Sequence, residues 1–327
     1  VAAMENKMKV LIAYDGVHPI QYFINDLKKA GLPKDVDALV MTVVDAFMPP
    51  KNSSHVSRPK SAVTYIDAML ERAEARIEKQ LALAAKTADK SAKSLRASFR
   101  GWTVNFEVCT NSPAWAIVKK EDEWKPDLIV VGSHEASSAA RFFLGSISSG
   151  VLIHSKCSVR IVRKHQKSLK QASRIIIGVD GSLGSQAAVR VVAGRVWPKG
   201  TLVRLVAGFD QNIAFAVALH HLPGVKMLNL KDETQEDWMR QMTGPFTKTL
   251  TDAGLEVAGT IKAGKPWKVL VEEAEKWKAD CVFVGARGLG MLDRFLLGSV
   301  SNAVASRSRC SVEVVRLNSE RSRKRKK

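Results

Sequence analysis

The chain has 327 residues, 46% of them apolar and 25% charged, with a formal net charge of +19. That length suffices for two domains with cores of their own, and the composition excludes a disordered or collagen-like chain. The longest apolar stretch, Ile213–Leu219, is far short of the ~20 residues a membrane helix needs.

In chain order, apolar runs predict strands near 9–15 and 37–46. A long helix follows from Ser61 to about Ser98, in which Ile66, Met69, Ala73 and Ile77 recur at helical spacing. Further strands fall near 103–109, 128–133 and 158–163. A polar, basic, patternless linker at 165–173 separates these from strands near 174–180, 201–209, 256–262, 281–286 and 311–316. The runs are apolar without alternation and are interleaved with helical segments, as in a parallel sheet covered on both faces.

The chain repeats itself. Trp124–Arg163 lies over Trp277–Arg316 without gaps, with 18 of 40 positions identical. The opening strands repeat too, as KVLIAYDG and RIIIGVDG. A period this long indicates a duplicated domain rather than a solenoid. The expected units are 8–164 and 174–317, with a basic tail at 318–327.

In such sheets, ligands bind beyond the carboxyl ends of the strands, where the strand order reverses. In the second half, Asp180-Gly181-Ser182 leaves the first strand there. Gly285-Ala286-Arg287-Gly288 leaves the fourth, and Gly298-Ser299-Val300-Ser301 opens the last helix after nine intervening residues. Glycine lets backbone approach a ligand closely, and the free N–H groups of a helix start favour an anion. The Ser299 and Ser301 hydroxyls can donate to phosphate oxygens, and Arg287 adds positive charge. A carboxylate at Asp180 suits ribose hydroxyls rather than phosphates. The set predicts a nucleotide with its sugar at Asp180 and its phosphates at Gly298.

These residues resemble the ATP-binding branch of the universal stress protein (UspA-like) family. The match lies in the VDGS strand end, the G-x2-G-x9-G-S run from Gly285 to Ser299, and the closing CSVEVVR strand. The resemblance covers both halves and omits the linker and tail. It implies an α/β fold of two Rossmann-like domains of the adenine nucleotide alpha hydrolase type. Each would be a five-stranded parallel sheet with helices on both faces. It also implies ATP as the ligand, with any Mg²⁺ arriving on its phosphates. Asp180 and the backbone near Val206–Gly208 would hold adenosine. Gly285, Arg287, Gly288, Gly298, Ser299, Val300 and Ser301 would surround the phosphates.

The first half keeps Asp15, Gly132, Gly145 and Ser146 at matching spacing. Glu135 and His134 stand where the second half has Gly288 and Arg287. A carboxylate beside a triphosphate repels it, so this site is expected to be degenerate. The alternative is a Glu135 turned to solvent and a site that still binds.

In the resembled family, related domains pair through the last strand. Arg160 and Glu313 are the one charge reversal between SVRIVR and SVEVVR. The two last strands are therefore expected to meet antiparallel, as a pseudo-dimer within the chain, with Arg160 near Glu313. The alternative is two unrelated surface charges, and a homodimer of whole chains is a further option. Trp124 and Trp277 are expected to pack helix on sheet, and Cys109, Cys157, Cys281 and Cys310 to be small buried hydrophobes. Without C-x-x-C spacing these thiols point to a reducing cytoplasm. His220-His221 lack a suitably spaced third ligand, so no metal site is expected. The apolar stretch 209–230 reads as a lid or a partner surface.

No signal peptide pattern opens the sequence, and Val1 in place of Met points to a GTG start or a clipped beginning, with Met4 or Met8 as the alternative start. The leading functional class is a nucleotide-responsive stress regulator with an unidentified protein partner. No Walker lysine, positioned base or carboxylate set accompanies the loop, so no catalytic residue is expected and ATP hydrolysis is slow at most. Competing classes are a nucleotide-independent interaction module and an adenylate-forming enzyme, although neither an SGGxDS nor a HIGH motif occurs. Nucleic-acid binding is expected only through the tail, because the last twelve residues hold seven basic residues and one acidic one.

Overall fold

The computed structural model describes residues 7–46, 60–133, 144–164, 172–209, 235–288 and 297–317, with backbone alone at 60–67, 209 and 235–242. The first half runs β1 (Met8–Ala13), α1 (Ile20–Lys28), β2 (Val36–Val44), α2 (Lys60–Ser98), β3 (Thr103–Thr110), α3 (Pro113–Trp124), β4 (Leu128–Gly132), α4 (Ser146–His154) and β5 (Ser158–Val162). The second runs β6 (Arg174–Gly178), α5 (Leu183–Ala193), β7 (Leu202–Phe209), α6 (Gln235–Asp252), β8 (Glu256–Ala263), α7 (Pro266–Lys276), β9 (Cys281–Gly285), α8 (Ser299–Arg307) and β10 (Ser311–Val315). All ten expected strands are present, and α2 begins one residue before its expected start.

The strands form one ten-stranded sheet in the order β3-β2-β1-β4-β5-β10-β9-β6-β7-β8. Within each half every pairing is parallel, and the chain reverses direction across the sheet between β1 and β4, or β6 and β9. Those two gaps are the switch points where a crevice opens above the carboxyl ends.

Alternate strand residues serve opposite faces, as the pleat requires. Leu11, Ile129 and Val159 join Val282, Val304 and Val312 in one core that runs beneath α3, α4, α7 and α8. Val10, Ile12 and Val130 face α1 and α2 on the other side of the first half. Ile175, Ile177 and Phe283 do the same for α5 and α6. Both faces are buried, which is why these strands read as unbroken apolar runs. Trp124 and Trp277 pack against the shared core, as expected, each with a cation over its ring: Lys9 on Trp124, Arg174 and Arg204 on Trp277.

The halves meet where β5 pairs antiparallel with β10, with Arg160 directly opposite Glu313. Neither is a surface charge: both are fully buried. Arg160 grips Asp26 of α1 through Nε (2.5 Å) and Nη2 (3.1 Å), and its Nη1 donates to Glu313 at 3.0 Å. Glu313 also takes both terminal nitrogens of Arg195, so four buried groups of alternating sign form one neutral chain across the joint.

Around it the contacts are reciprocal. Arg163 donates to the carbonyl of Ala305 (2.6 Å) near the end of α8. Arg316 donates to that of Leu152 (2.7 Å) near the end of α4. Each half thus supplies the cation that satisfies the other's helix C-terminus, the pattern of a two-fold interface.

Candidate functional site

At the carboxyl end of β6 the chain turns through Gly181 (φ +79°), and the Asp180 carboxylate accepts the Ser182 N–H at 3.0 Å. Ser182 then caps α5, its hydroxyl oxygen accepting the Ser185 N–H at 3.2 Å and its proton reaching the Arg287 carbonyl at 3.4 Å. The start of α5 lies against the segment leaving β9 with no side chain between them. A Cβ on Gly184 would fall 2.1 Å from the Arg287 carbonyl oxygen, and one on Gly285 would fall 2.4 Å from the Gly184 carbonyl carbon. Glycine is required at both positions because backbone touches backbone.

A Cβ on Gly288 would come 2.5 Å from Asp180 Oδ2. Two residues far apart in the chain therefore converge above the switch point between β6 and β9. The last helix is tied to the same segment, since the Gly298 N–H donates to the Ala286 carbonyl at 2.8 Å. Among the described residues no side chain caps the N-terminus of α8, so its first turn, with Ser299 exposed, keeps N–H groups for another acceptor.

Asp180, Gly285, Arg287, Gly288 and Gly298 are thus assembled in one place, with Ser299 and Val300 in the adjoining turn. Ser301, expected to donate to a phosphate, is buried, and its hydroxyl lies within donating distance of two carbonyls, Gly298 at 2.9 Å and Ala286 at 3.1 Å. A hydroxyl has one proton, so in this arrangement Ser301 positions the loop. Gly184 was not singled out from sequence, and Ser182 was named there only as part of the VDGS turn, with no role of its own. Their signal was available: the first half has Val17 and Pro19 at the matching positions. Along β7, Val206 accepts the Val179 N–H at 3.0 Å. Gly208 lies under the start of α7, where a Cβ would fall 2.7 Å from Pro266 Cα.

The first half repeats the turn, with Gly16 at φ +81° and Asp15 accepting the Val17 N–H at 3.0 Å. Gly145 and Ser146 again open a helix, and Ser148 donates to the Gly132 carbonyl at 2.6 Å. Helix packing is where the halves part. Pro19 cannot make the close approach that Gly184 makes, and α1 starts only at Ile20 with no side-chain cap. The Phe23 ring lies 3.1 Å from where a Gly132 Cβ would be. A cavity of about 110 Å³ opens between α1 and the ends of β4 and β5, lined by His18, Tyr22, Phe23, Ser133, Arg163 and Lys164. His134 and Glu135, on which the expected degeneracy rests, lie outside the described residues, as do 209–230 apart from the backbone of Phe209, and the tail.

Among the described residues no cluster of three or more His, Cys, Asp or Glu could hold a metal ion. Nor is any of their helices long and apolar enough to cross a membrane. All four cysteines are free. Burial pushes the Cys157 and Cys281 thiols well up from their usual range and Cys310 up to about 12.

The universal stress protein family profile matches residues 51–163 and again 172–316. The chain belongs to the universal stress protein family. A universal stress protein of Mycobacterium tuberculosis is 28% identical over 230 residues, spanning 69% of this chain and 74% of that protein. A second from the same organism is 28% identical over 218 residues, 65% of this chain and 69% of its own length. The crystal structure of a universal stress protein from Archaeoglobus fulgidus superposes with a TM-score of 0.56 at 22% identity. It covers 95% of this chain and 97% of that one, which establishes the fold of the tandem. In this universal stress protein, two Rossmann-like halves share one sheet.

Proposed function

We propose that the second half binds one adenine nucleotide, ATP, and that the chain acts as a nucleotide-responsive stress regulator. The observation that carries this reading is the convergence of the Asp180 carboxylate, the side-chain-free surface of Gly285 and Gly288, and the uncapped start of α8 above the β6–β9 switch point. The Asp180 carboxylate accepts from ribose hydroxyls. The N–H groups of the first turn of α8, at Ser299 and Val300, with Arg287 beside them, bind the phosphates. Mg²⁺, when present, is held through the nucleotide, since the described residues offer no ligand cluster. The working units are residues 8–164 and 174–317, joined by 165–173, and the four free thiols fit a cytoplasmic setting.

Nucleotide acts by bridging Gly288 and the start of α8 at Ser299 and so changing the surface offered to a protein partner. The first half, with Pro19 in place of Gly184 and Glu135 in place of Gly288, does not bind it. Mass spectrometry of nucleotide released from freshly purified protein, with calorimetric titration of ATP, tests the reading. One ATP per chain is expected. Two per chain would refute the asymmetry. None, either copurified or on addition, would leave a nucleotide-independent interaction module.

A further inference from the structure

The long helix α2 carries charge in an order that its packing does not explain. Its buried side is Ile77, Ala88, Ser91, Ala92 and Leu95. On the opposite side Arg72, Lys79, Lys86 and Lys93 recur at strict seven-residue spacing, with Arg76 and Lys90 alongside them. All six are exposed, and at 3.6 residues per turn they occupy an arc of about 100° that contains no acidic residue. Glu71, Glu74, Glu78 and Asp89 lie on a separate flank. Among the described residues only Lys93 of the six has an ion-pair partner, Asp89 at 2.6 Å. At 1.5 Å rise per residue the row is about 32 Å long, winding about 20° around the helix axis with each heptad. The matching helix of the second half, α6, is 18 residues against 39. Its described side chains hold one cation, Lys248, paired with Asp252.

We propose that this face of α2 binds the phosphodiester backbone of a nucleic-acid duplex. A row of cations about 32 Å long matches one turn of duplex, about 34 Å. Neutralising a row of backbone phosphates releases their counterions, which is a sequence-independent source of affinity. A membrane-surface helix needs an apolar face to insert. Here that face is spent on the sheet; of the exposed large apolar residues nearby, Leu83 (66%) stands alone inside the basic arc and Met69 (54%) lies just beyond its margin. The site is separate from the basic tail, where the sequence alone places nucleic-acid binding, and it does not depend on the nucleotide site.

The test is fluorescence anisotropy of a labelled mixed-sequence DNA duplex of about 20 base pairs with the full chain, titrated at several salt concentrations. A matching RNA duplex distinguishes which nucleic acid supplies the phosphates. The fourfold variant R72Q/K79Q/K86Q/K90Q should lower the slope of log affinity against log salt by about 3–4, at roughly 0.9 for each phosphate no longer neutralised. Gln is a good helix former, and unchanged far-UV circular dichroism will show that α2 persists. A variant of equal charge on other exposed lysines, K119Q/K199Q/K268Q/K276Q, should keep the slope. The proposal is overturned if the α2 variant binds with unchanged affinity and slope while deletion of 318–327 abolishes binding. It is equally overturned if the chain binds phosphatidylserine vesicles and neither duplex.

Discussion

Replacing Glu313 by Gln removes one negative charge from the buried chain Asp26–Arg160–Glu313–Arg195 while keeping side-chain volume. Arg160 then retains Asp26, and Arg195 retains the Ala30 carbonyl (2.9 Å) and the face of Phe283. The two guanidiniums would face each other across the joint with one net positive charge and no water to screen it. Breaking a buried ion pair by removing one partner costs about 3–5 kcal/mol. The surviving partners place this variant near the lower figure. The pair E313L/R195M removes both charges, leaves Arg160 neutralised by Asp26, and should return to within about 1 kcal/mol of the parent. Urea unfolding followed by far-UV circular dichroism and by tryptophan fluorescence measures both, because Trp197 packs edge-on against Phe283 beside the joint. A loss under about 1 kcal/mol for Glu313→Gln, or no recovery in the double variant, would refute the claim that these charges hold the halves in register.

Gly298→Val should abolish ATP binding in calorimetry, whereas Gly145→Val should leave it unchanged. Gly288→Val, at an exposed position, should weaken ATP at least tenfold by displacing Asp180, while shifting the urea-derived stability by less than about 0.5 kcal/mol. Gly184→Ala should destabilise the second half by about 1–3 kcal/mol, since its Cβ must push α5 off the Arg287 carbonyl. Thiols whose folded-state pKa is raised by burial favour the neutral form. Stability from Cys157, Cys281 and Cys310 is therefore complete below the unfolded thiol pKa of about 8.5 and is lost as pH climbs toward 12. Alkaline unfolding curves would check this, and the three should resist thiol reagents at neutral pH. For Glu273, burial alone would raise the pKa, but Lys262 and Arg204 overcome it and hold the carboxyl below its usual value. Its contribution is therefore present above the unfolded pKa and lost on acidification below it. Lys262→Met should move the acid unfolding midpoint upward.

The sequence by itself determined the strand set, the duplication and the location of the candidate site, for local reasons. Doubly covered strands must be apolar throughout, and a glycine-rich turn must follow a strand end to serve a ligand. The reversal from Arg160 to Glu313 could be read as a pairing signal because the remaining positions of SVRIVR and SVEVVR are identical apart from Ile161 and Val314, both β-branched and apolar. Which groups those signals meet depends on packing between segments distant in the chain. Burial of Arg160, its second partner Asp26 and the closing role of Arg195 depend on residues from four separate segments, and no spacing rule links them. Ser301 looked like a phosphate donor until the fold placed the carbonyls of Gly298 and Ala286 within reach of its only proton. Gly184 was one glycine among many until Gly285 and Arg287 lay against it. The +19 charge was visible from composition, but its ordering into a row on α2 emerged only once packing had assigned one side of that helix to the core and left the other to solvent.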